Sequence, residues 1–102
     1  MGQINDLVAR CHGYAKRQGF WGGHDARDVT VRLSKLALIH TEVSEACEAV
    51  RRDDSENLAE EIADTVIRCL DFAGACGVNL ELAITDKMAK NEKREPMHGK
   101  LA

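Results

Sequence analysis

The feature that most restricts the fold of this 102-residue chain is the scarcity of residues that interrupt helices. The single proline stands at position 96, and glycines cluster at 19, 22 and 23, so that long stretches contain neither breaker. Aromatic residues make up only 4% of the chain and β-branched residues are sparse, which disfavours strands. The sequence therefore predicts an all-α fold.

Apolar residues recur at helical spacing in four segments, and this pattern predicts helices at 3–18, 28–51, 55–76 and 80–93. The second and third helices each carry an apolar seam with the three-four alternation that is typical of packed helices. The seam residues are Leu33, Leu36, Val43, Cys47 and Val50 in the second helix and Leu58, Ile62, Val66, Cys69 and Ala73 in the third. We expect both seams to be buried, together with His40, which falls on the first of them.

The length of the chain predicts one domain, spanning 1–102, with a single hydrophobic core. A chain of this size buries only slightly more than about 60% of its unfolded surface, which leaves little structure to enclose an active site. We therefore expect a four-helix unit whose bundle is completed by oligomerisation.

Charge and cysteine usage narrow the class of protein. The net charge is −3, and basic residues concentrate only near the C-terminus, so neither a nucleic acid nor a membrane is expected as the main partner. No stretch approaches the roughly 18 consecutive apolar residues that span a bilayer. The four cysteines, at 11, 47, 69 and 76, show no CxxC spacing and lie in apolar helical patterns, as is typical of reduced, buried thiols. These features predict a cytoplasmic protein.

Acidic residues occur as two matched pairs beside the seams. Glu42 and Glu45 lie three residues apart on the second predicted helix, and Glu61 and Asp64 lie three apart on the third, so each pair shares a helix face. Both pairs flank their seams at the same angle, and two antiparallel helices would bring the four carboxylates together. An exposed polar face is the alternative, because the chain contains 17 acidic residues.

A group of four carboxylates in a partly dry cleft takes up protons or binds cations, because the negative charges repel one another. Ligands that are all oxygen select Mg²⁺, with Mn²⁺ as a substitute, rather than zinc. A magnesium site between the second and third helices is therefore one of two interpretations of the pattern, beside an exposed polar face.

Further candidate residues are those suited to contact a nucleotide. Lys87, Asn91 and Arg94 follow one another on one stripe of the fourth helix, where they either grip a triphosphate or form a solvated basic face. Trp21, in the loop after the first helix, either stacks on a base or anchors the loop to the core. Arg68 and Asp71 continue the stripe of the second acidic pair, as an internal ion pair or as contacts to the site.

The acidic pairs stand in the segments TEVSEACEAV and LAEEIADTVIRCLDFA, and this E-x-x-E followed by E-x-x-D resembles the MazG-like nucleotide pyrophosphohydrolases, of the all-α NTP pyrophosphatase superfamily. The tail KMAKNEKREPMHGK at 87–100 looks like the family's basic ending, and GFWGG is similar to the aromatic loop of close relatives. The resemblance covers nearly the whole chain and is strongest from Lys35 to Lys100. His98 lies in the same tail and, like Lys100, is a weak candidate for the site.

The resemblance implies a helical homodimer or homotetramer in which Glu42, Glu45, Glu61 and Asp64 carry Mg²⁺. It further implies that the substrate is a (deoxy)nucleoside triphosphate, whose α,β-phosphoanhydride is cut to a monophosphate and pyrophosphate, as part of nucleotide-pool house-cleaning. It also favours phosphate binding by Lys87, Asn91 and Arg94.

Phosphoryl transfer requires charge neutralisation and a positioned water more than a covalent nucleophile, and the acidic pairs suit that chemistry. We take Glu45 as the group that orients or deprotonates the water.

Two alternatives remain open, namely a helical dimer that serves as an adaptor or regulatory subunit and a nucleotide-binding module without hydrolysis. A zinc nucleotide deaminase is disfavoured, because its histidine and paired-cysteine signature is missing.

Overall fold

The computed structural model describes residues 2–94, and that part of the chain consists of four α-helices without a strand. The helices are α1 (Gln3–Arg17), α2 (Val29–Arg51), α3 (Ser55–Cys76) and α4 (Leu80–Glu92). Each one begins and ends within one residue of its predicted bounds. The predicted all-α fold is confirmed, and none of these helices is long and apolar enough to cross a membrane.

Short polar side chains and one glycine set the helix ends. Asp28 precedes α2, and its carboxylate accepts hydrogen bonds from the backbone N–H groups of Thr30 and Val31, at 2.8 and 3.2 Å. Asn79 caps α4 in the same way. Gly77 follows α3 with a φ of 69°, a left-handed conformation that costs glycine nothing and that ends the helix.

Helix α3 is the central element, because it packs against α2 on one side and against α1 on the other, while α4 packs on α1. The turn between α2 and α3 is only three residues long, so the two helices run antiparallel. A small core forms where α1 meets α3, from Val8, Leu70 and Ala73, with partly buried residues of α1 and α4 packed against it.

Two close contacts hold α1 in place. A Cβ atom added to Gly74 of α3 would lie 2.7 Å from the Cβ of His12, so glycine permits the helices to approach at this point. At the start of α1, the Glu81 carboxylate of α4 accepts hydrogen bonds from the backbone N–H groups of Ile4 and Asn5, at 3.0 and 3.2 Å. The N-terminus of α1 is thus capped by a side chain from another helix.

The predicted burial of the two apolar seams is wrong for the single chain. Leu33 and Val50 of α2 are 61% and 63% exposed, and most other seam residues are exposed as well. The physical reason is that α4 covers α1, so the apolar stripes of α2 and α3 have no further helix to pack on. His40, Cys47 and Cys69 are exposed for the same reason, so the prediction of buried thiols is wrong for these two cysteines.

Candidate metal centre and adjoining cavity

Three of the four predicted carboxylates meet between α2 and α3. One oxygen each from Glu42, Glu45 and Glu61 lies within 4.8 Å of the other two. The i, i+3 spacing places both α2 glutamates on the face that α3 contacts, and the antiparallel turn brings Glu61 opposite them. Asp64 is not in this three-oxygen group, although it lines a cavity together with Glu42.

Glu61 is subject to the charges of the other three predicted carboxylates. Its pKa is raised above the ordinary value, first because the carboxyl is partly shielded from water and then because of the charge and hydrogen bond of Glu45. The charges of Asp64 and Glu42 raise this pKa further. A divalent cation would relieve the repulsion, and an all-oxygen donor set is the one that Mg²⁺ and Mn²⁺ prefer. The residues present therefore fit such an ion.

A cavity of about 270 Å³ adjoins the carboxylates, slightly smaller than the range of about 300–1,000 Å³ for ligand sites. Its polar wall consists of side chains from α2 and α3, and its apolar wall comes from α1, the following loop and α3. The residues that line it are Glu42, Asp64, Arg68 and Asp71 on the polar side, with Cys11, Tyr14, Ala15, Gln18, Phe20 and Ile67 around the rest. Burial raises the pKa of the Cys11 thiol, so this group stays protonated and unreactive at neutral pH.

Arg68 joins the carboxylates to the cavity. Its Nε donates a hydrogen bond to Glu42 Oε1 at 3.0 Å, and its guanidinium carbon lies 4.9 Å from the centroid of the Phe20 ring. The ion pair is half-buried, because the Arg68 and Glu42 side chains are 34% and 12% exposed. Arg68 thus makes an internal ion pair, and it does so with an acid of the metal centre rather than with Asp71.

Asp71 fixes the position of the loop between α1 and α2, which contains Phe20 and Trp21. This aspartate is only 5% exposed, and its carboxylate accepts a hydrogen bond from Trp21 Nε1 at 2.9 Å. His12 Nδ1 lies 2.7 Å from the same carboxylate oxygen, and the His12 and Trp21 rings meet edge to face. One buried carboxylate therefore links α1, the loop and α3.

Trp21 anchors the loop to the core, which is one of the two roles that the sequence left open for it. It is 6% exposed, so its ring offers no open face to a base while the loop keeps this conformation. Phe20 is the aromatic residue of the loop that lines the cavity. Stacking of a base on Trp21 is not supported by this arrangement, and we do not include this residue in the proposed substrate site.

Lys35 is a residue that the sequence reasoning missed. Its Nζ donates a hydrogen bond to the backbone carbonyl of Phe20 at 2.6 Å and lies 3.8 Å from the centroid of the Phe20 ring. Lys35 precedes Glu42 by seven residues, which is two helical turns on the same face. This seven-residue spacing from Glu42 is the sequence signal that could have identified Lys35.

The predicted phosphate-binding residues lie apart from the carboxylates within this chain. Lys87 and Asn91 are exposed on α4, Arg94 follows that helix, and none of the three is among the described residues that line the cavity. Their contact with a triphosphate stays a prediction. His98 and Lys100 lie outside the described residues.

Comparison with known proteins supplies the family. The family model for the MazG nucleotide pyrophosphohydrolase domain matches residues 31–98, about two thirds of the chain, including both acidic pairs. No curated protein and no solved structure matches the chain significantly. The matched region contains nearly all of α2 and all of α3 and α4, and the four carboxylates of α2 and α3 lie within it. This chain belongs to the MazG nucleotide pyrophosphohydrolase family.

Proposed function

We propose that this protein, as a single domain over residues 1–102, hydrolyses (deoxy)nucleoside triphosphates to monophosphates and pyrophosphate with Mg²⁺, and that Mn²⁺ substitutes for it. The observation that carries the proposal is the convergence of carboxylates from α2 and α3 beside a cavity in which an arginine and an aromatic ring meet. Membership of the family supports the same reaction class.

Glu42, Glu45, Glu61 and Asp64 would hold the metal in this reaction. A divalent cation held there would neutralise phosphate charge and would make water more acidic. The water oxygen forms a bond to one phosphorus of the α,β-anhydride as the bridging P–O bond breaks. Glu45, the most exposed member of the three-oxygen group, takes the proton from the water.

The proposed active form is a homodimer or homotetramer. The exposed apolar stripes of α2 and α3 support this proposal, since a second copy of the chain would bury them and supply the missing helices of the bundle. Contacts from Lys87, Asn91 and Arg94 to the triphosphate would then come from α4 of either copy. The free thiols support a cytoplasmic location, where nucleotide-pool house-cleaning would take place.

The first experiment is product analysis with a panel of ribo- and deoxyribonucleoside triphosphates, in Mg²⁺ and in EDTA. We expect metal-dependent release of monophosphate and pyrophosphate, with a loss of about 10²- to 10³-fold in Glu61→Gln, the scale expected when a group that stabilises transition-state charge is removed. Glu60→Gln is the matched control, because it makes the same charge change on the exposed face of α3. No turnover by folded protein across the panel would favour the nucleotide-binding module without hydrolysis, and no binding either would favour the adaptor.

A further inference from the structure

We propose that Arg68 exchanges partners during binding: it holds Glu42 in the metal-free protein and binds the triphosphate of the substrate once a divalent cation takes Glu42. This inference rests on the proposed function, because it names the residue that would bring positive charge to the substrate from within the cavity. It concerns a residue outside the two acidic pairs.

Arg68 and the candidate metal would share one carboxylate, that of Glu42. Glu42 Oε1 accepts the hydrogen bond from Arg68 Nε at 3.0 Å, and Glu42 also belongs to the three-oxygen group. The Glu42 side chain is largely buried, so few other positions are open to it. A cation that binds this group must therefore compete with the guanidinium or repel it at close range.

The lining of the cavity carries more negative than positive charge. Among the described residues that line it, Glu42, Asp64 and Asp71 are acidic and Arg68 is the single lysine or arginine. A triphosphate that enters this space meets three carboxylates, and it needs compensating positive charge. A bound cation would supply part of that charge, and Arg68 is the residue already present on the cavity wall.

The geometry of the Arg68 side chain is suited to binding phosphate. Only its Nε is engaged by the described residues, so both Nη groups are free of hydrogen bonds to them. The guanidinium lies against the Phe20 ring, which supports its plane without using its donors. A planar fork with two free nitrogens matches two phosphate oxygens.

The test compares Arg68→Gln with Arg51→Gln in the full chain. Arg51 pairs with Glu48 on the exposed part of α2, nine residues or about 13 Å along the helix from Glu42. Mn²⁺ affinity is measured by calorimetry without nucleotide, and binding of the magnesium complex of inorganic tripolyphosphate is measured separately. Circular dichroism and thermal unfolding confirm that each variant is folded.

We expect Arg68→Gln to bind Mn²⁺ about three- to tenfold more tightly, because a competing positive charge is gone. The same variant should bind the tripolyphosphate complex about tenfold or more weakly, since a charged donor to phosphate is lost. Arg51→Gln should match the wild type in both measurements. Unchanged or weaker Mn²⁺ binding in folded Arg68→Gln, or unchanged tripolyphosphate binding, would overturn the proposal.

A measurement on the wild type covers the case in which Arg68→Gln does not fold. The Nε–Hε signal of Arg68, assigned by its absence in Arg68→Lys, should shift when Mg²⁺ is added, and an unmoved signal would overturn the exchange. None of these readouts requires turnover. Failure of the wild type to hydrolyse any triphosphate would thus count against the proposed function, whereas the Mn²⁺ and NMR results decide the role of Arg68.

Discussion

The buried carboxylate of Asp71 receives hydrogen bonds at two points of the structure, and each contact positions a different part of the cavity. Trp21 Nε1 donates to it from the loop, and His12 lies against it from α1. Phe20, next to Trp21, is held over the cavity by Lys35 and lies against Arg68. The wall of the cavity formed by the loop is therefore set by a few contacts between single residues.

Replacing Asp71 by alanine should release this loop. If the loop stayed closed, the Trp21 N–H would be buried without its acceptor, at a cost of up to about 1–3 kcal/mol of unfolding free energy, so opening of the loop is favoured. We expect denaturant unfolding to show that loss, and the fluorescence of Trp21, the only tryptophan, to shift to the red. Asp86→Ala, at an exposed position of α4, is the control and should change neither. An unshifted spectrum in Asp71→Ala would mean that other contacts suffice to hold the loop.

The raised pKa of Glu61 predicts that metal binding depends on pH. Because its pKa lies above the ordinary value of 4.5, protons compete with a cation for this carboxylate at pH values where an isolated glutamate is already ionised. We expect Mn²⁺ affinity to rise as the pH increases through the raised pKa, and then to level off. Calorimetric titrations between about pH 5 and 8 in a low-salt buffer test this. An affinity that does not change over the whole range would contradict it.

The same raised pKa has a consequence for stability without metal. A carboxyl whose folded pKa exceeds its unfolded pKa favours folding when protonated, and this contribution is lost as the pH rises through the folded value. Glu61→Gln removes the ionisation, so we expect it to melt at a higher temperature than the wild type at neutral pH. The difference should vanish below the ordinary pKa. Thermal unfolding in EDTA measures it, and a variant less stable than the wild type at neutral pH would contradict the argument.

Among the four helices, α3 contributes residues to each part of the site from a single face. Glu61, Asp64, Arg68 and Asp71 follow one another at spacings of three, four and three residues, so they share a helix face. From that face they reach the α2 glutamates, the cavity and the loop in turn. The family match covers α2 to α4 but not α1 or the loop. The apolar wall of the cavity is thus built mostly from the part of the chain outside the matched region.

The crossing of α1 and α3 depends on Gly74. Alanine there would place its Cβ 2.7 Å from the Cβ of His12, an atom close to the backbone that cannot move without shifting α1. We expect Gly74→Ala to lower the unfolding free energy by about 1–3 kcal/mol. Gly13→Ala is the matched control in α1, where the nearest atom is the flexible end of Arg17 at 3.4 Å, and it should be neutral or up to about 1 kcal/mol stabilising. Equal effects of the two substitutions in denaturant unfolding would refute this account.

At the scale of the whole molecule, the single chain is open. Its Cα radius of gyration is 15.6 Å, against about 13 Å for a compact chain of about 100 residues. The α2 seam stays exposed at Leu33 and Val50, whereas the core between α1 and α3 is closed. This distribution is what a subunit of a larger bundle would show.

The self-association that we propose predicts a clear effect of charge on the α2 seam. Val50→Glu places a carboxylate on a stripe that a second copy would bury, so it should weaken association about tenfold or more. Leu82→Glu, at an exposed apolar position of α4, is the control and should leave association unchanged. Analytical ultracentrifugation over a range of concentrations measures both. A wild type that sediments as a monomer at all concentrations would rule the assembly out.

Local sequence patterns predicted the features that depend on residues a few positions apart. Helical periodicity predicted four helices to within one residue at each end. The i, i+3 spacing of the acidic residues, with a short turn between their helices, predicted the meeting of Glu42, Glu45 and Glu61. These signals are local, because hydrogen bonds and face-sharing along a helix connect residues three or four apart.

Other contacts between residues far apart in the chain follow from how the helices pack in the folded protein. Trp21 and Asp71 are 50 positions apart and Arg68 and Glu42 are 26 apart, and neither separation has a period that a helix pattern can reveal. The placement of α4 on α1, rather than over the α2 seam, likewise left exposed the stripe that periodicity predicted to be buried. Periodicity says which face of a helix is apolar, whereas packing between helices decides what covers that face.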